Sequence, residues 1–276
     1  MAYFLAVLSS IAYGSADFLG GLATRRGAPL FAVVIFSQLT GLILVLIALP
    51  LLPPSSATAM DFAWGAAAGL AGGFGVALLY RALSIGVMSV VAPVTAVCAA
   101  IVPVAVGVLL GERPAMRAIG GVILAIAAIV LVSQSGEARA TTGVGTAIAS
   151  GLVIGFFLVF LARSGPPAGL WPLIAARIVS VGFFAALALA TRKKIAPDRA
   201  SLPIVIGGGA LDMLANVFYV IAVRQGLMSI VATLTSLYPA STIVLARIVL
   251  RERLRAAQQI GIACAAVAIV LIVTAS

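Results

Sequence analysis

Gly86-Val87-Met88-Ser89-Val90-Val91-Ala92 returns 140 positions later as Gly226-Leu227-Met228-Ser229-Ile230-Val231-Ala232. Thr95 with Thr235, Glu112-Arg113 with Glu252-Arg253, and Gly121 with Gly261 keep that offset without a gap, and the 47 aligned pairs starting at position 86 contain 17 identities. A shared apolar bias alone would give about five and would not align the polar Glu-Arg pairs, so the stretch records an internal duplication.

The duplicated unit is almost entirely lipid-soluble. Of 276 residues 63% are hydrophobic and 9% charged, with a mean hydropathy of +1.27. A water-soluble fold cannot cover that much apolar surface, and the charges separate runs near the roughly 20 residues a helix needs to cross a bilayer. Charges, Pro/Gly clusters and polar loops place helices near 2–22, 29–50, 61–84, 88–110 and 114–134, then near 141–163, 168–191, 201–225, 228–250 and 255–275. The N-terminal stretch reads as a span, because Met1 to Phe4 carry no basic residue and Asp17 interrupts any signal-like core. The expected fold is therefore all-α and integral to the membrane: ten transmembrane helices in two repeats, 1–135 and 141–276. Five is odd, so the second repeat enters the membrane from the opposite side, giving inverted halves around a central cavity.

Charge and residue types exclude several functions. The net charge of +10 lies in short loops rather than on a basic face, so it reads as topology and not as nucleic-acid binding. Ten basic residues fall in the loops after expected helices 1, 5, 7 and 9 and four in the opposite loops, which puts both termini outside. Cys98 and Cys264 stand singly inside apolar runs and the chain has no histidine, so neither a zinc site nor a Ser-His dyad is expected. No metal and no cofactor is called for. The glycines at 65, 69, 72, 73 and 75 and at 207–209 lack a following Lys-Ser/Thr and read as close helix approach, not as a phosphate loop.

Leu110-Gly111-Glu112-Arg113 and Leu250-Arg251-Glu252-Arg253-Leu254, the latter followed by Gln259-Ile260-Gly261 and an Ala/Val/Ile helix, resemble the EamA-type family of the drug/metabolite transporter superfamily. The resemblance spans the chain, which departs from the family pattern at Arg251, where the first repeat has Gly111. It implies two inverted five-helix repeats, multi-pass insertion in a bacterial inner membrane, and export of amino acids, aromatic ones among them, or of other metabolites or drugs. The partners it implies are a small-molecule substrate and the lipid bilayer.

Ionisable residues within spans need a partner or an aqueous cavity, at about 2.5–3.5 kcal/mol each on insertion scales. Asp212, Asn216 and Tyr219 form one stripe at i, i+4 and i+7; they line a cavity and bind an ammonium or a coupling proton, or else make structural bonds between helices. Tyr13 and Asp17 share a face of the first helix, for cavity lining or for an anchoring ion pair with Arg81. Arg177 and Arg247 offer a fork for a carboxylate or a structural partner, with Arg247 read as structural. Tyr80, Trp171 and Tyr238 offer ring faces, against the alternative of packing or an interfacial belt. Pro93 and Pro103 interrupt the fourth helix and are candidate hinges, with static kinking as the rival. Glu112, Arg113, Glu252 and Arg253 read as ion pairs at helix ends.

Without a GxxxxGK[ST] motif, transport must draw on gradients, protons among them, or on the substrate itself. The leading expectation is a secondary exporter of small metabolites working by alternating access, for which a monomer suffices. Its rivals are a proton-coupled exporter of organic cations, an intramembrane enzyme and a channel.

Overall fold

The computed structural model describes residues 1–51, 54–109, 116–133, 142–193, 195–226, 228–251 and 256–274. Among them secondary structure is helical throughout, with no strand. The first half supplies α1 (Ala2–Arg25), α2 (Leu30–Ala48), α3 (Ala59–Ile85), α4 (Met88–Leu109) and α5 (Met116–Ser133). The second supplies α6 (Val144–Ala162), α7 (Trp171–Ala190), α8 (Leu202–Val223), α9 (Met228–Thr235), α10 (Pro239–Val249) and α11 (Ala256–Thr274). Seven helices, α1 to α4 and α6 to α8, are long and apolar enough to cross a membrane; shorter apolar stretches occupy Ile119–Ala128, Pro239–Val249 and Gln259–Ala268. The chain is a multi-pass membrane protein. Glu112, Arg113, Glu252 and Arg253 lie outside the described residues.

One expected helix is not continuous. The stretch read as 228–250 is two helices separated by a turn at Ser236–Tyr238. Pro239, at the start of α10, has no N–H to give and so cannot carry the helical ladder across the turn. Its repeat counterpart α4 runs unbroken through both Pro93 and Pro103.

Contacts between the halves follow a pattern. α1 packs along α8 and α3 along α6; α1 also touches α9 and α10 while α6 runs along α4; α2 crosses α7, and α5 runs along α11. Glycines permit the closest of these approaches. A Cβ on Gly65 would stand 2.5 Å from the Pro172 carbonyl oxygen, and one on Gly69 2.3 Å from that of Ala176, so α3 lies directly on the α7 backbone. Of the glycines at 207–209 only Gly209 does the same, against Ser37 of α2; Gly207 meets nothing nearer than Leu19 at 3.6 Å.

Polar bonds tie the halves at one end of the bundle. Thr58 and Asp61 form a capping box at the start of α3. The second oxygen of Asp61 accepts from the Gly165 N–H at 2.8 Å, and Ser56 N–H reaches the Pro167 carbonyl at 2.9 Å. Within the second half, Arg224 at the end of α8 donates to the Gly169 carbonyl of the same loop at 2.6 Å.

Candidate functional site

The polar residues of the spans converge on one cavity in the middle of the bundle. Asp212 lies half-way along the 22-residue α8, with Asn216 a turn further on. Arg177, from the first half of α7, donates through Nη2 to Asp212 Oδ2 at 2.6 Å and through Nη1 to Gln38 Oε1 of α2. The paired side chains are 6% and 11% exposed, so the ion pair is almost wholly withdrawn from solvent. Asn216 Nδ2 donates back to the Asp212 carbonyl at 2.7 Å, leaving Oδ1 without a protein partner.

Asp17 enters from α1, one turn beyond Tyr13, and both line the same cavity. Its carboxylate is buried and makes no hydrogen bond or ion pair with any described residue. The ion pair with Arg81 considered from sequence does not form: Arg81 is exposed on α3. The break between α9 and α10 adds Thr235, Ser236 and Tyr238 to the wall. Gly14 makes the break accessible to α1, since a Cβ there would stand 2.0 Å from the Tyr238 carbonyl oxygen; Thr242 donates to the Gly14 carbonyl at 2.9 Å.

The wall has two chemistries. α3 and α6 contribute Gly72, Val76, Ile154, Phe157 and Leu158, all apolar, while every polar lining residue comes from α1, α2, α7, α8 or the α9–α10 break. The cavity measures about 50 Å³, room for a few water molecules and less than an amino acid.

The remaining candidates lie elsewhere. Tyr219 turns away from the cavity and donates to the Leu158 carbonyl at 3.0 Å, fully buried in the core. Tyr80 is buried against α1, where a Cβ on Gly20 would meet its ring at 2.1 Å. Trp171 opens α7 edge-on to Phe62, and Arg247 is exposed near the end of α10. Pro103 is inside continuous α4, whereas Pro93 meets Leu237 and Pro239 across an apolar crevice beside the break. Sequence reasoning passed over Gln38, whose signal is a lone amide in an apolar helix, and Pro239, whose signal is a proline at mid-span.

The model of the EamA-like transporter family matches this chain twice, over residues 1–134 and 141–274. The chain belongs to that family. It is thus one of a family of membrane transporters of small molecules. No curated protein matches this EamA-like chain. A solved crystal structure aligns with 98% of it and 94% of its own length, at a TM-score of 0.69 and 15% identity, and so shares its fold.

Proposed function

We propose that this EamA-like chain is a secondary transporter that exports small amphiphilic metabolites, amino acids and aromatic ones among them, from a bacterial cell by alternating access. The single observation that carries this reading is the two-sided cavity at mid-span. An apolar wall from α3 and α6 suits a side chain, and opposite it the Arg177–Asp212 pair offers one charge of each sign. A zwitterion is complementary to that pair: its carboxylate takes the guanidinium fork and its ammonium takes Asp212, replacing an internal bond with two external ones.

The contact pattern supports ten spans in inverted repeats. Exchanging helices by the sequence offset turns α1·α8 into α6·α3 and α2·α8 into α7·α3, and returns α2·α7 and α5·α11 to themselves. Such exchange is what a two-fold axis in the membrane plane produces, and it makes a single chain sufficient. Cargo larger than the present cavity requires the halves to part, with the broken α9–α10 segment and Pro93 beside it as the hinge region.

A second reading, export of organic cations, is favoured by Asp17, a carboxylate without a counter-ion. Purified protein in proteoliposomes, offered radiolabelled amino acids and organic cations with and without a pH gradient, tests both. Saturable amino-acid flux is expected; flux of cations alone would replace the first reading by the second, and indifference to pH would remove protons as the coupling ion.

A further inference from the structure

Buried polar side-chain atoms without a partner are rare in folded proteins, because each forgoes the bond it made in water. Seven occur among the described residues, and five of them belong to side chains lining the central cavity: Tyr13, Arg177, Asn216, Thr235 and Tyr238. Four of these five atoms are oxygens. Packing leaves them without a protein partner beside the central cavity, which a ligand can enter.

They surround an unbalanced charge. Arg177 neutralises Asp212, whereas Asp17 has no cation beside it, so the ionised cavity carries one negative charge in excess. Tyr13 and Tyr238 line the same cavity as Asp17. Thr235 closes the group from the C-terminal end of α9, where helix carbonyls add negative potential. A carboxylate with hydroxyl oxygens around it is the donor set of a hard monovalent cation or of an alkylammonium group, and a discontinuous helix is where transporters place such a site.

We propose that Asp17, with the hydroxyls of Tyr13, Thr235 and Tyr238 beside the α9–α10 break, forms a site for one monovalent cation. That cation is an inorganic ion that travels with a zwitterionic cargo, or the protonated amine of a cargo that leaves the Arg177–Asp212 pair closed. The site is separate from the Arg177–Asp212 pair, which holds no net charge. The inference rests on the cavity being the transport site and deepens that reading by fixing the charge of what enters.

Thermal unfolding of the full-length purified protein is followed against rising sodium chloride, with choline chloride keeping ionic strength constant, and separately against phenethylamine and the uncharged 2-phenylethanol. The expected result is a saturable rise in Tm with sodium or with the amine and none with the alcohol. Asp17→Asn is expected to abolish it, and Thr235→Val to raise the half-saturating concentration about tenfold, the loss of one charge-assisted contact. Stabilisation by sodium identifies the inorganic ion; stabilisation by the amine alone identifies the cargo. Should Asp17→Asn not fold, Thr235→Val and Asp17→Glu carry the comparison. A Tm that follows pH but no added cation would overturn the site in favour of a simple proton acceptor. No cation effect in a protein that still transports amino acids in proteoliposomes would sink the site and leave the transporter reading standing; cation binding without any flux would do the reverse.

Discussion

Removing Asp212 leaves Arg177 as a buried cation held only by Gln38, and the two single deletions of this pair are unequal. Arginine cannot shed its proton in a protein, whereas an abandoned aspartate can neutralise itself by taking one. Breaking a buried pair costs about 3–5 kcal/mol when one charge is left uncompensated. With the two side chains 6% and 11% exposed and the N–O distance 2.6 Å, the full range applies to Asp212→Leu. In a chain of this size that corresponds to a Tm lowered by about 6–20 °C. Arg177→Met is expected to cost less. The double variant Arg177→Met with Asp212→Leu leaves no charge and returns most of the lost stability, since an apolar pair of similar volume can replace a buried ion pair. Thermal unfolding of the four proteins at pH 5 and pH 8, with flux measured on each, separates the two roles. A stable double variant that no longer transports assigns the pair to cargo recognition; one that transports normally would show it to be structural. A loss below about 1 kcal/mol for Asp212→Leu, the value of a solvated surface pair, would refute the burial argument itself.

Gly69→Leu drives side-chain atoms into the Ala176 carbonyl and is expected to cost at least 1–3 kcal/mol by overpacking, while Gly207→Ala, whose new methyl makes only ordinary contact with Leu19, leaves stability within about 0.5 kcal/mol of the parent; monodispersity and thermal unfolding check both. Tyr219→Phe loses the bond to the Leu158 carbonyl, costing about 1 kcal/mol, and leaves the KM for transport unchanged, as flux titrations would show. Pro239→Ala restores a backbone donor at the break and is expected to slow maximal flux while leaving Tm equal or slightly lower, so an unaltered rate would remove the break from the hinge region.

Much of this architecture was open to reading in the chain. The duplication, the apolar spans and the stripe from Asp212 to Asn216 follow from periodicity, which is a local property. Tyr219 belongs to the same stripe, yet two turns along α8 the neighbour is α6 rather than the cavity, and its hydroxyl found a carbonyl there. Gln38 could not be read at all, because nothing in α2 indicates that Arg177 of α7 arrives opposite it. Proline gave a mixed signal. Pro93 and Pro103 sit in the most deeply packed span of the seven, where neighbours hold the helix together, whereas before Pro239 the N–H groups of Leu237 and Tyr238 reach back only three residues, to the Leu234 and Thr235 carbonyls, and α9 ends. The sequence registers the missing donor in each case; only packing decides which helix parts.

The two-sided lining of the cavity bears on how such a chain can evolve. By the offset of 140, Asp17 corresponds to Phe157, Asp212 to Gly72 and Asn216 to Val76, and all six residues line the cavity. A pair of identical half-length subunits would be obliged to present each of these groups twice, placing carboxylate against carboxylate across the axis. Joining the copies in one reading frame lifts that obligation, because a substitution in one half is no longer inherited by the other. The scaffold can then keep its symmetry for movement while the lining abandons it, so that a cargo with unlike ends has one preferred orientation.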